Sequence, residues 1–219
     1  QDFLGSVIGT KVLHVSSTDS MLLERGFVAN PAADNNYVIN TVGSTSEHGI
    51  REIGNILHEP EDTGKEYKHW YTGQALDGST TIHYAYSSDG FTWTKSSANP
   101  VTGGGTEPDL EDPYVVKDGS TYYMYCEDKT TSSTFKIRRL SSPDGETWTD
   151  LGQINISDSS SPVVWIEDGT WYMLYEDMAG SKDLHLATST DGVTWANSAS
   201  NPVFTSTEAV WTDGDIVPD

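Results

Sequence analysis

The 219 residues carry 33 Asp and Glu against 12 Lys and Arg, a formal net charge of −21, with 35% hydrophobic and 11% aromatic residues. That apolar content can bury the core of one large all-β domain or two ordinary ones, which excludes global disorder. A chain this acidic repels phosphate backbones and anionic membrane surfaces, so nucleic acid is excluded as a partner.

The acids are scattered singly through Ser/Thr-rich loops and no Lys or Arg follows Lys182. This reads as a solvated acidic coat suited to a high-salt or cation-rich medium, a halophilic signature. Cys126 is the sole cysteine, which excludes an intramolecular disulfide framework and multi-cysteine metal sites. It sits in the apolar run Tyr122–Cys126 and reads as a small buried hydrophobe. No apolar run reaches the roughly 18 residues of a membrane span, so no membrane insertion is expected. A chain starting at Gln1 has been trimmed, which favours secretion and an extracellular or surface-exposed location.

In chain order, residues 1–47 form an N-terminal segment without the later repeat, an adaptor or a ring-closing strand through Tyr37–Thr41. Ser20–Phe27 is the best helix candidate, a short run of uncertain type. From there one pattern recurs three times: Ser-x-Asp-Gly-x-Thr-Trp at Ser87–Trp93, Ser142–Trp148 and Ser189–Trp195. Asp-Gly is a hairpin turn signal, so each copy reads as a tip with the indole covering the turn. The flanks repeat too. Aromatic runs at Tyr67–Tyr71, Tyr122–Cys126 and Trp171–Tyr175 read as central strands, each followed by a second strand at Thr81–Ala85, Phe135–Leu140 or Asp183–Ala187. A further strand precedes two of the runs, at Pro113–Gly119 and Pro162–Gly169, and Asn99-Pro-Val101 and Asn201-Pro-Val203 mark where an outer strand should lie.

Four antiparallel strands in about 50 residues make a propeller blade. The expected fold is therefore an all-β propeller of the five-bladed type, incomplete in this chain. Blades are predicted at 48–104, 105–157 and 158–206, with a further one beginning at 207–219. Gly103-Gly-Gly105 lacks the Lys and the following helix of a phosphate loop and reads as an inter-blade linker.

With its Ser-x-Asp-Gly-x-Thr-Trp tips, trailing Asn-Pro-Val, Asp112-Pro113-Tyr114 blade opening and Tyr71-Thr72-Gly73, the sequence resembles the five-bladed β-propeller carbohydrate-active superfamily of arabinanases, β-xylosidases, invertases and mannoside phosphorylases over residues 48–219. The resemblance implies a glycan at the channel mouth and acidic residues brought there by successive innermost strands. Glycosidic cleavage requires one ionised carboxyl and one kept protonated. The second-blade slot holds Asp112 before Pro113. The first is occupied around Arg51-Glu52, where the family usually carries Asp-Pro, and the third reads Ser159-Ser160-Ser161-Pro162 where a Glu would be the acid. Replacement acids end the aromatic strands, Glu127-Asp128 and Glu176-Asp177, or stand at Asp213 and Asp215.

The candidate catalytic set is thus Asp112, Glu52 and Glu176. Trp70 and Tyr114 are candidate sugar-stacking faces. Seven residues before each tip glycine stand His83, Arg138 and His185, a repeated polar slot that reads first as packing between blades and otherwise could face the channel and bind an anion, a carboxylated sugar or, with His83 and His185, a metal. No metal site is read and no cofactor is expected, although a structural cation fits the acidic coat. Two functions stay open: a glycoside hydrolase-like enzyme, or a non-catalytic glycan-binding module of a larger cell-surface or virion assembly, whose other chains or domains would be partners.

Overall fold

A computed structural model describes residues 10–16, 20–25, 46–102, 109–129, 135–180 and 182–205. β1 (Thr10–Ser16) and β2 (Ser20–Arg25) form an antiparallel hairpin running from the Thr10↔Arg25 pair to Ser16↔Ser20. The helix candidate of uncertain type is therefore a strand over Ser20–Arg25. Eight residues are too few to hold a helix unaided, whereas a neighbouring strand satisfies their backbone groups. Tyr37–Thr41, Gly103–Gly105 and residues 207–219 lie outside the described residues.

Among the described residues three four-stranded antiparallel sheets follow, each in chain order from first strand to last. The first is β3 (Gly49–His58), β4 (Tyr67–Gln74), β5 (Thr80–Ser87) and β6 (Trp93–Lys95). The second is β7 (Leu110–Asp118), β8 (Thr121–Asp128), β9 (Lys136–Ser142) and β10 (Thr149–Ser157). The third is β11 (Ser159–Glu167), β12 (Thr170–Asp177), β13 (Leu184–Ser189) and β14 (Ala196–Asn197). These are propeller blades. Their first strands pack together, with β7 against both β3 and β11, and each of two apolar cores fills one blade–blade interface. Trp70, Ile82, Tyr84, Val115 and Met124 join blades one and two, and Tyr125, Ile137, Val164, Trp171 and Met173 join two and three.

The three tips share one hydrogen-bond pattern. In the second, Ser142 Oγ accepts from the Asp144 and Gly145 amides at 3.2 and 2.7 Å, while Asp144 Oδ1 accepts from Glu146 and Thr147 at 2.9 and 2.7 Å. The serine and aspartate thus satisfy four turn amides, and Gly145 supplies the left-handed φ of 78°. Trp93 and Trp148 cover their turns by donating to the glycine carbonyls, at 3.2 and 3.1 Å. The tips also lock neighbouring blades, because Gly145 O accepts from the Trp70 indole at 2.8 Å and Gly192 O from Tyr125 Oη at 2.6 Å.

Among the described residues four asparagines act as one-residue strands, each amide spanning the N–H and C=O of a single partner. Asn99 grips Tyr84 and Asn201 grips Leu186 within a blade; Asn55 grips Val115 and Asn155 grips Trp195 across blades, all at 2.8–3.0 Å. The Asn-Pro-Val runs are consequently not the outer strands. Those begin at the tip tryptophans, and Val101 and Val203 follow later, their amides bonded to Ile82 O and Leu184 O at 2.8 and 2.9 Å. Proline cannot donate to a ladder, so the asparagine amide takes over the pairing there.

On blade three, Val163, Trp165, Tyr172 and Leu174 form a half-buried apolar face, with Trp165 and Tyr172 stacked at 5.1 Å. Strand register makes this the counterpart of the Tyr114, Val116 and Tyr123 face that blade two packs against blade three.

Candidate functional site

The site is made by a bulge repeated at the start of each innermost strand. Register shifts fall between Ile50 and Ile53, Glu111 and Tyr114, and Ser160 and Val163. In each, two inner-strand residues oppose one residue of the second strand, so Arg51-Glu52, Asp112-Pro113 and Ser161-Pro162 hold matching positions. A bulge turns a side chain out of the ladder and leaves its backbone free of regular pairing. Asp112 and Ser161 both adopt φ 48°, a left-handed setting that short polar residues tolerate better than branched ones. By this register the same position carries Arg51, Asp112 and Ser161 in successive blades.

Around it, four carboxyls and two cations meet. Glu111 is buried, and its Oε1 accepts from both Arg51 and Lys129, the latter at 3.0 Å. Arg51 Nε also reaches Glu52 Oε1 at 2.6 Å. Thr72 stands near both members, its oxygen accepting the Asp112 amide at 3.2 Å and its hydroxyl acting to lower the Glu52 pKa. Across the second blade interface Ser161 Oγ donates to Asp112 Oδ2 at 2.9 Å, Ser160 Oγ donates to Glu127 Oε2, and the two hydroxyls are 3.2 Å apart.

This crowding sets the charge states. Burial pushes Glu52 up to about 8, the Asp112 and Glu111 charges adding to it and Arg51 and Thr72 only partly opposing. Burial likewise pushes Glu127 up to about 7, against the Ser160 hydrogen bond and the Lys129 charge and with Asp112 and Glu111 assisting. Glu52 Oε2 is buried and makes no hydrogen bond among the described residues. Two carboxyls able to carry a proton near neutrality therefore flank Asp112, the arrangement that acid–base chemistry needs.

Of the residues singled out in the sequence, Asp112 and Glu52 lie together in this cluster. Glu176 is buried near the end of β12, opposite Ser160 and Leu184, the blade-three counterpart of Glu127. Glu127, named in the sequence only among the replacement acids, is coupled to Asp112. Aligning the blades points to it, since β7–β8 register sets Glu127 opposite Glu111. Glu111 and Lys129 had no role in the sequence reading, and Arg51 and Ser160 only marked the first- and third-blade slots, because their contacts join segments far apart in the chain.

The proposed sugar-binding residues are placed differently. Trp70 is fully buried, so no indole face is open for stacking on a sugar. Tyr114 is partly buried against the core between blades two and three. His83, Arg138 and His185 do share one register position, opposite Tyr71, Cys126 and Tyr175, but on the third strands, with a second strand between them and the axis. His83 is buried and 3.0 Å from Thr81 Oγ1; Arg138 bonds Asp128 at 2.7 Å and Asp150 at 2.6 Å; His185 sets its ring edgewise to Tyr175 at 5.6 Å. Among the described residues no group of three or more His, Cys, Asp or Glu is arranged to hold a metal ion.

The model of the glycosyl hydrolases family 32 N-terminal domain matches residues 14–209. The chain belongs to this family. Among curated relatives, an uncharacterized protein of Mycobacterium tuberculosis is 31% identical over 130 residues, 51% of this chain and 42% of that protein. A family 117 glycoside hydrolase of the marine bacterium Zobellia galactanivorans superposes with a TM-score of 0.60 at 17% identity, over 71% of this chain and 57% of that one. Sucrose-6-phosphate hydrolase from Lactobacillus gasseri gives 0.57 at 14% identity, over 70% of this chain and 36% of that one. Likeness at such identities establishes the fold, that of a glycoside hydrolase-like propeller. This family 32 domain spans about half the length of the relatives it matches, 42% and 57% of the first of each kind.

Proposed function

We propose that the bulge cluster binds a glycan and hydrolyses a glycosidic bond, with Glu52 as general acid and Asp112 as general base. Glu52 protonates the departing oxygen as the glycosidic C–O bond breaks, while Asp112 takes a proton from the water whose oxygen bonds to the anomeric carbon. The observation that carries the reading is Glu52 itself: a carboxyl raised to about 8, with one buried oxygen unpartnered among the described residues, beside Asp112 on the adjoining inner strand. A protonated carboxyl without a partner is suited to a ligand oxygen. Arg51 holds its other oxygen, and the Asp112 amide donates to Thr72, which lies opposite the Arg51-Glu52 bulge, so acid and base are held relative to each other across two blades.

Since a structural neighbour is named as a sucrose-6-phosphate hydrolase, sucrose 6-phosphate and sucrose are the first substrates to test, followed by aryl glycosides. Turnover by the wild type, lost in both Glu52→Gln and Asp112→Asn while glycan binding persists, is the expected result. Tight binding of a glycan with no turnover by the wild type would overturn the hydrolytic assignment. Proton NMR of the first-formed anomer tests the role of Asp112, because direct water attack on the substrate gives inversion whereas a covalent glycosyl-enzyme gives retention.

A further inference from the structure

We propose that Arg51 and Lys129 make the cluster selective for glycans that carry an anionic substituent, a sugar carboxylate or phosphate. The inference deepens the reading above and rests on its first half, that the bulge cluster binds a glycan. Both cations donate to one atom, Glu111 Oε1, Lys129 at 3.0 Å. Two donors on one oxygen stand within about 6 Å of each other at ordinary hydrogen-bond lengths. Their side chains are 37% and 33% exposed, whereas the carboxylate they share is 3% exposed, so the pair lies between a buried anion and solvent. Among the described residues Arg51 commits Nε to Glu52 and Nη1 to Glu111, and Lys129 bonds Glu111 alone, which leaves N–H donors on both heads for a ligand.

Neutralising Glu111 does not account for two cations. One partner suffices for a buried carboxylate, yet a chain with only 12 Lys and Arg in 219 residues places two here. The other carboxyl on Arg51, Glu52, is raised to about 8 and is mainly protonated at neutral pH. Glu111 and Asp112 are then balanced by Arg51 and Lys129, and Glu127, raised to about 7, takes up a proton when an anion arrives. An incoming anion thus meets no excess of negative charge in the site. The acidic coat does not decide the contact either, because at 0.15 M salt charges farther off than about 8 Å are largely screened. Register adds a second argument: where blades two and three carry Asp112 and Ser161 at the bulge, blade one carries a cation, so positive charge is set at the channel mouth itself. Lys129 follows β8 and its amide donates to Asp109 O at 2.8 Å, which fixes the stem of its side chain. A carboxylate or phosphate bridging guanidinium and ammonium makes charge-assisted hydrogen bonds, about twice as strong as those of a neutral hydroxyl in the same place.

The test uses two matched pairs of probes, glucose with glucose 6-phosphate and galactose with galacturonate. None contains a glycosidic bond, so hydrolysis does not enter the readout. Affinities for the whole chain are measured by NMR titration at pH 7 and 0.15 M salt. At least one acidic sugar should bind tenfold or more tighter than its neutral partner, and which one does so tells a phosphate site from a carboxylate site. Lys129→Gln should cut that ratio threefold or more and Lys129→Arg should keep it within twofold; Arg51 still neutralises Glu111 in both variants, so the fold is retained. Ratios near one in the wild type, no binding of any of the four, or a ratio that Lys129→Gln leaves unchanged would each overturn the inference. Turnover is scored separately. Acid preference in a protein that hydrolyses nothing keeps this inference and removes the hydrolytic one, and hydrolysis of neutral glycosides without acid preference does the reverse.

Discussion

Replacing Glu52 by Gln should make the protein more stable at alkaline pH, and the size of the gain follows from the site. In the folded chain this carboxyl titrates at about 8 rather than 4.5, because burial and the neighbouring Asp112 and Glu111 charges disfavour its ionised form. Between those values the folded state holds a proton that the unfolded state has released. Stability contributed by the group is therefore complete below pH 4.5 and is lost as pH rises through 8. A shift of about 3.5 units at 1.36 kcal/mol each sets a ceiling of about 5 kcal/mol. With the side chain 24% exposed and Arg51 against it, about 3 kcal/mol is a fair expectation. Gln carries no charge, so the variant escapes this loss. Thermal unfolding of both proteins at pH 4.5 and pH 9 is the assay, and the rest of the acidic surface cancels in the comparison. At about 2–4 °C per kcal/mol for a chain of this size, the variant should gain about 10 °C on the wild type between the two conditions. A Tm difference constant to within about 1 °C across that range would refute the assigned charge state, and with it Glu52 as the acid.

Three further outcomes are expected. Glu59→Gln should cost about 2–4 kcal/mol in denaturant unfolding at pH 7, since it strips the carboxylate that pairs with Lys117 and with Lys68, an ammonium only 1% exposed. The same group resists burial through hydrogen bonds from Lys117, Tyr122 and Lys68 that hold its pKa down at about 2, so the wild-type advantage should be full above pH 4.5 and fade as pH falls toward 2. Gly192→Ala, whose new methyl would stand 2.7 Å from Tyr125 Oη and 2.9 Å from Trp171, should cost about 3 kcal/mol, while Gly119→Ala, at a similar φ but with open space around it, should cost about 1 kcal/mol; equal losses would show the tip is no inter-blade lock. Finally, with a net charge of −21, Tm should climb in potassium chloride from 0.1 M to 1 M as the Debye length falls from about 10 Å to about 3 Å, and a flat midpoint would show that self-repulsion is not limiting.

What the sequence discloses about this molecule is whatever is local or repeated. The Ser-x-Asp-Gly-x-Thr-Trp tips could be read because serine, aspartate and glycine solve one turn within seven residues, and the turn recurs unchanged in three blades. Asp112 and the Arg51-Glu52 slot could be read because they open repeats. Glu127 could be named but not chosen over Glu176. Both end equivalent strands, and the Asp112 and Glu111 charges that act on Glu127 arrive through space from β7. The His83, Arg138 and His185 count gave a true equivalence but no direction, since a register position does not say which strand lies toward the axis. Asn155 shows the other limit, because its partner Trp195 lies forty residues onward and nothing in either neighbourhood announces the pairing.

The two ends of the same inner strands have opposite electrostatic character, and this explains how the site can exist in a stable protein. At one end of β3 and β7 stand Glu52, Glu111 and Asp112, more acid than their two cations neutralise, with Glu52 forced toward protonation. At the other end, about five residues or 17 Å along β7, Glu59 meets Lys117, Lys68 and the Tyr122 hydroxyl and is held ionised. The first arrangement raises the free energy of the folded state at neutral pH; the second lowers it by a comparable amount. Both sit on the interface of blades one and two, which Asn55 clamps to Val115 between them. Crowded carboxyls would relax by moving apart if the strands could slide. The clamp and the ion-paired end fix the register, so the acids remain close and their proton affinities remain high. On this argument Asn55→Ala, which removes no carboxyl of the cluster, should bring the Glu52 midpoint down toward that of an ordinary glutamate, and carbon-13 titration that finds it unmoved would show that the bulge alone holds the cluster together.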